Sequence, residues 1–405
     1  MQGPASAQAL LRLFGQEERA VRVTLYRDHH AWCPYCQKVW LWLEERRIPY
    51  RVRKVTMLCY GEKEAWYRRL VPSGMLPALE LDGRLITESD RILEALEAAF
   101  GPLQRSLHES RVLELRQLER LLFRAWCQWL CVPGLGEREE RLAADAFDRL
   151  AGRMAGALEA APGAFLLGDL SAADVVFVPY VERMNASLAY YKGYLLRRRH
   201  PAIDRWFEAL EQRPSYLGSQ SDFHTHAHDL PPQMGGCHAS GSEAQRSLAA
   251  RIDRGPWPIL GPAEPDPETS QSEPADSSAV ALARVLRHRD TLLLRHAPEE
   301  DRFAEALRAA LATLIGAEAA GPPAGTARSL RSLAQRISVP RDMPLHAARR
   351  LRQALEITAR LDPLDPAAAP EPLPLNHRRD QDPRPFLPPA SLAATPWPVG
   401  VRAKP

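Results

Sequence analysis

Hydrophobic and polar positions alternate along residues 21–26, "VRVTLY", which predicts a strand. After a polar turn comes "CPYCQKVWLWLEERR", where Val39, Trp40 and Leu43 recur at helical spacing. Pro34 suits the first helical position, because its missing N–H would have no intrahelical partner there. "PYRVRKVT" (49–56) predicts a second strand and "EKEAWYRRL" (62–70) a short helix. "GMLPALELDGRLITE" (74–88) predicts two strands turning at Asp82-Gly83. Ser89 and Asp90 offer a cap to the helix "RILEALEAAF", which stops at Gly101-Pro102. The order β-α-β-α-β-β-α over residues 21–101 predicts an α/β sheet with helices on its faces. Its first crossover should be parallel and right-handed, and its hairpin an antiparallel edge.

From about 103 to 213 the pattern is helical only, within an all-helical domain expected over residues 103–230, and beyond 214 it becomes loose. "RVLELRQLERLLFRAWCQWL" and "EREERLAADAFDRLAGRMAGALEAA" are amphipathic. "GDLSAADVVFVPYVERM" opens with Ser171 three residues before Asp174, a capping box leading into an almost wholly apolar run. That run predicts a buried central helix, and "PAIDRWFEALEQRP" closes the bundle. Residues 1–20 form an extension ahead of the sheet. Residues 231–278, with "PAEPDPETSQSEPADSS", read as a disordered linker. Residues 279–361 form a helical appendage. Residues 362–405 hold 12 of the 36 prolines and are expected to be disordered.

Composition adds exclusions. The chain has 405 residues, ordinary hydrophobic and charged fractions, and a net charge of only +3, so charge alone points to neither nucleic acid nor a membrane surface. No apolar run reaches the roughly 18 residues that a membrane span needs. The start, "MQGPASAQALLRLFGQEERA", has no basic segment followed by an apolar one, so a cytoplasmic protein is expected. Six cysteines in a large chain with that start are expected to be reduced thiols.

Two of them carry the candidate chemistry. Cys33 and Cys36 lie one helical turn apart, and Cys33 falls between a strand and a helix. A thiolate at a helix N-terminus is stabilised by unpaired N–H groups and the helix dipole. Cys36, on the same side and deeper, could attack a mixed disulfide on Cys33. A zinc site would need two further ligands, and His29 and His30 are the nearest; a purely structural pair is the remaining reading.

Four motifs in order then point to one family. "CPYC", "GMLPALE", "TESD" and "GDLSAADVVFVP" resemble those of cytosolic glutathione S-transferases of the cysteine type: omega, lambda and dehydroascorbate reductase. The resemblance covers residues 21 to about 213. It implies a thioredoxin-like domain followed by an all-α domain, with glutathione as co-substrate. It implies Cys33 as the catalytic thiol, with or without Cys36, and Pro77 as a cis-proline. Leu76 would bond the cysteinyl part of glutathione through its backbone. Glu88 and Ser89 would hold the γ-glutamyl group, and Lys63 the glycine carboxylate. Its acceptor would be a small disulfide, dehydroascorbate or an electrophile. No metal is implied.

Other features have plainer readings. His224, His226, His228, Cys237 and His238 read as a surface loop against the bundle, with metal binding left open. Cys127 and Cys131 read as small core residues. Tyr190, Tyr191 and Tyr194 either line an acceptor pocket or pack in the core. Residues 279–361 hold 14 arginines and 8 acidic residues, but Phe303 is their only aromatic, so no stacking platform for nucleic acid is present. A solvated basic face is expected there. Two functions follow: a glutathione-dependent thiol transferase or reductase, or a non-catalytic glutathione-sensing module whose appendage docks a protein partner. A homodimer is compatible with either.

Overall fold

The computed structural model describes residues 5–296, 299–318, 320–373 and 379–384. The extension is part of the sheet: strand β1 (Leu11–Arg12) pairs with a strand forty residues on, Leu11 opposite Arg51. Arg12 is buried and pairs with Glu44 at 2.7 Å. A two-residue strand shows no alternation, so the sequence pattern cannot reveal it.

The alternating stretch becomes β2 (Val23–Asp28), and helix α1 (Pro34–Glu45) begins at Pro34. β3 (Tyr50–Val55) lies parallel to β2, with Tyr50 opposite Val23. Helix α2 (Ala65–Leu70) leads to β4 (Ala78–Leu81), antiparallel to β2, and then to β5 (Arg84–Thr87). The sheet order is β1-β3-β2-β4-β5. Asp82 and Gly83 both have positive φ, 52° and 80°, as a tight two-residue hairpin turn of this hand requires. Helix α3 (Ser89–Phe100) follows. Its N-cap is Glu88, not Ser89, and no side chain caps it.

The second unit holds α4 (Ser110–Cys131), α5 (Glu137–Glu159), α6 (Ala172–Lys192), α7 (Leu196–Arg199), α8 (Pro201–Leu210) and α9 (Pro214–Leu217). The Ser171–Asp174 capping box is present. Asp174 also accepts the Leu166 N–H and the Trp206 indole N–H, each at 3.0 Å. Every residue of α6 except Tyr190 is buried, because α1, α4 and the helices that follow α9 surround it.

Two expectations are corrected beyond α9. His224, His226 and His228 are on no surface loop: they lie in helix α10 (Phe223–Met234), with His224 and His226 buried, while Cys237 and His238 follow it in a loop against the bundle. Asp222 caps it by accepting the Thr225 N–H at 2.8 Å. Nor are residues 231–278 a loose linker throughout. Helix α11 (Glu243–Arg254) packs on α6, and Glu268 and Thr269 are buried. Low hydrophobicity suggested disorder, but the acidic residues of this stretch meet arginines far along the chain.

The appendage comprises α12 (Ser277–Arg287), α13 (Arg289–Leu294), α14 (Glu300–Ile315), α15 (Ala327–Arg336) and α16 (Leu345–Ala359), around a core of its own. Its arginines are not simply a solvated face. Arg352 is buried against Asp222, and Arg349 binds Glu268 and, at 2.6 Å, Asp266. The loop ahead of α16 reaches the first unit: the Val339 carbonyl accepts the Trp32 indole N–H at 3.2 Å. Of the proline-rich tail, residues 374–378 and 385–405 lie outside the described residues. Among those described, no helix is long and apolar enough to cross a membrane.

Candidate functional site

Cys33 is the N-cap residue of α1, and its Sγ lies 4.0 Å from the Leu76 carbonyl oxygen. The sheet makes this meeting. β2 runs into the Cys33 loop, and β4, antiparallel beside β2, begins just after Pro77. The Leu76–Pro77 peptide is cis. Tyr67 holds the turn by donating its hydroxyl to the Met75 carbonyl at 2.6 Å.

Cys33 is only 6% exposed, not open to solvent as a reactive thiol is commonly expected to be. Cys36 is fully buried and hydrogen-bonded to Cys33. Burial, and then that hydrogen bond, push the Cys36 thiol well above the ordinary thiol range. Cys36 therefore keeps its proton and directs it at the Cys33 sulfur. Burial likewise pushes Cys59 up to about 12.

Lys63 is half-buried, its chain packed beside Gly74 in the turn before Leu76. Burial lowers its pKa, opposed by Glu64 and by the two cysteine sulfurs. Thus Cys33, Cys36, Lys63, Leu76 and Pro77 share one region. Glu88 and Ser89 join it through the hairpin: Thr87 pairs with Ala78, so the start of α3 follows next to Pro77. Glu88 is exposed with φ 66°, and among the described residues its carboxylate has no ion pair. Ser89, at the first turn of α3, is buried. The backbone N–H groups of that turn form a ready anion site.

An aromatic wall stands beside α1 that no local pattern marks. Tyr35, 38% exposed, stands edge-on to Tyr180, which packs on Phe123. The Arg120 guanidinium covers both of the latter rings at 4.8–4.9 Å. Tyr35 lies inside "CPYC", but nothing in the pattern ties Arg120 to it. By contrast, Tyr190, Tyr191 and Tyr194 pack within the helical unit. Their hydroxyls donate to Asp253, the Ala227 carbonyl and Asp148, respectively.

Behind α1 lies a buried polar network. Gln37 donates to Glu182 at 3.1 Å and accepts from Arg183 at 2.8 Å, and Glu182 meets His226 at 2.7 Å. Burial and the Arg183 charge oppose protonation of His226, but Asp229 and Glu182 outweigh them and raise its pKa. A raised folded-state pKa stabilises the fold fully below the unfolded value of about 6.5 and is lost as pH rises through the folded value. The stability gap between wild type and His226→Gln is thus expected to be larger at pH 6 than at pH 9. Urea unfolding at both pH values measures it, and an equal gap would mean that His226 stays neutral.

His224, His228 and Asp253 bring ligand atoms within 4.8 Å of one another. His228 and Asp253 already form a 2.7 Å ion pair, which accounts for their closeness.

Residues 32–99 match the family "Glutathione S-transferase, N-terminal domain", and residues 133–209 match "Glutathione S-transferase, C-terminal domain". Glutathione S-transferase DHAR2 of Arabidopsis thaliana is 25% identical over 190 residues, 47% of this chain and 84% of the relative. Glutathione S-transferase L3 of the same plant is 26% identical over 193 residues, 47% of this chain and 79% of the relative. Among solved structures, glutathione transferase Omega 3C of Trametes versicolor is 26% identical, covers 50% of this chain and 90% of its own, and superposes with a TM-score of 0.43.

Proposed function

We propose that the chain is a glutathione-dependent thiol transferase or reductase with Cys33 as its nucleophile, a reading supported by the match of residues 32–99 and 133–209 to the two glutathione S-transferase domain families. One observation carries the reading: Cys33 caps α1 with its sulfur 4.0 Å from the Leu76 carbonyl, beside the turn that receives the cysteinyl part of glutathione. Leu76 offers backbone groups to that peptide as an added strand would. Glu88 pairs with the γ-glutamyl ammonium, the first turn of α3 at Ser89 takes its carboxylate, and Lys63 takes the glycine carboxylate.

In the reaction, the Cys33 thiolate attacks the glutathionyl sulfur of a mixed disulfide. The Cys33–glutathione bond forms as the acceptor's S–S bond breaks, and the acceptor leaves as a thiolate. A second glutathione thiolate then attacks the glutathionyl sulfur on Cys33, releasing glutathione disulfide and restoring the Cys33 thiolate. We assign this second step to glutathione, not to Cys36, because Cys36 is buried with its proton held. Tyr35, Phe123 and Arg120 supply the acceptor's resting surface. Six free cysteines suit a reducing compartment, in keeping with the cytoplasm. Docking of a protein partner by the appendage gains no support, since Arg349 and Arg352 bind it to the chain's own residues.

A paired assay tests the reading. Glutathione-dependent reduction of hydroxyethyl disulfide and of dehydroascorbate should far exceed conjugation of chlorodinitrobenzene, because a cysteine nucleophile forms a disulfide with glutathione instead of activating its thiol. Dominant conjugation that survives Cys33→Ser would sink the assignment.

A further inference from the structure

Between β3 and the appendage lies a cavity of about 420 Å³. Lys54 reaches it from β3 and Arg284 from α12. Among the described residues, neither side chain makes a hydrogen bond or an ion pair. The carboxylates that act on them have other partners. Asp28, near Lys54, accepts the Trp32 N–H at 2.7 Å through one of its two oxygens, and Asp342, near Arg284, pairs with Arg341 at 2.7 Å. Arg336 also lines the cavity, but Asp380 faces it at 3.6 Å. Two cations from separate units therefore converge on one space, and among the described residues its wall carries six Lys and Arg side chains against four carboxylates. Burial first, and the charges of Arg27 and Arg284 with it, bring the Lys54 ammonium down to about 7. Part of the wall is apolar, with Val285, Leu333, Ile337 and Met343. A concave site of this size between two units, with an apolar face beside convergent charges, suits a small amphiphilic molecule.

We propose that this cavity binds a small organic anion, its charged group between Lys54 and Arg284 and its apolar part against Val285, Leu333, Ile337 and Met343. Neither Cys33 nor Leu76, Glu88 or Ser89 lines it, so it is separate from the proposed glutathione site. A bound anion would turn the Lys54–Arg284 repulsion into two attractions and tie the appendage to the sheet. It would therefore stabilise the docked arrangement by mass action.

Octanoate is a suitable probe, titrated into the full-length protein by calorimetry and by thermal unfolding, with 1-octanol and inorganic phosphate as controls. The expected result is one saturable octanoate site per chain, a raised Tm, and at least tenfold weaker binding of both controls. Lys54→Met and Arg284→Met should each weaken octanoate binding at least tenfold, while Arg284→Lys retains most of it. Circular dichroism checks folding of each variant, and either folded methionine variant is enough for the test. No saturable site, equal binding of octanoate and octanol, or unchanged binding by folded Lys54→Met and Arg284→Met overturns the proposal. Phosphate binding as tight as octanoate overturns the apolar half of it.

Discussion

Cys33→Ser is expected to lower kcat/KM for reduction of hydroxyethyl disulfide by about a thousandfold or more, or about 4 kcal/mol of transition-state stabilisation. The reason is chemical. A serine hydroxyl cannot form the mixed disulfide with glutathione on which both halves of the reaction depend. Its size and its place at the start of α1 are nearly unchanged, so the fold should persist. Cys36→Ser is the informative contrast. Cys36 is assigned only to donate a proton toward Cys33, and serine can donate as well, so the loss should stay below about tenfold. Steady-state kinetics of the two variants under one set of conditions separate the roles. A collapse in Cys36→Ser equal to that in Cys33→Ser would instead make the pair a dithiol couple, with Cys36 resolving the adduct.

The second large effect is expected in stability. Arg352 and Asp222 are both about 2% exposed, one on α16 and the other capping α10. Removing one member of a buried pair leaves an uncompensated charge and costs about 3–5 kcal/mol. Arg352→Met should therefore lower the urea midpoint of the whole chain, not merely loosen the appendage. Arg352 also donates to the Ile337 carbonyl at 2.7 Å, and that bond is lost as well. The double variant Arg352→Met, Asp222→Asn should recover part of the loss, since the stranded carboxylate is gone. pH provides a further check. Burial opposes ionisation of Asp222, but Arg352 and the Thr225 bonds outweigh it, so its pKa lies below the ordinary carboxylate value. A depressed folded pKa contributes stability in full above the unfolded value of about 3.9 and loses it as pH falls through the folded value. The gap between wild type and Arg352→Met should accordingly narrow in acid. A cost under about 1 kcal/mol at neutral pH would mean that the appendage does not dock as described.

The legible parts of this fold are those set by neighbours in sequence. The Asp82-Gly83 turn, the Ser171–Asp174 capping box, and Pro34 opening α1 after Cys33 each depend on a few adjacent residues, and each stands where the pattern predicted it. The resemblance to the family supplied the cis peptide before Pro77. What the pattern hid depends on partners far apart in the chain. Residues 231–278 read as disordered because Asp266 and Glu268 look solvated until Arg349, some eighty residues on, is placed beside them. The histidines of α10 looked exposed for the same reason. Glu182, 44 residues before His226, is what makes its burial tolerable. Pro231 and Pro232 near the end of α10 also masked its helical character. In the candidate site, "CPYC" announced the thiols but not their burial, and the amphipathic pattern of α4 announced a helix but not the place of Arg120 over Tyr180 and Phe123.

The central claim is that Cys33 carries the glutathione adduct, and intact-mass analysis with peptide mapping tests it most directly. The purified protein is treated with glutathione disulfide near neutral pH, and the modified cysteine is located. One glutathionyl group on Cys33 is predicted, in wild type and in Cys36→Ser alike. Cys36 and Cys59 are held as buried thiols, and Cys127 is raised by its hydrogen bond to Cys131 as well as by burial. An adduct on Cys131 or Cys237 with Cys33 left free, or no adduct at all, would contradict the account.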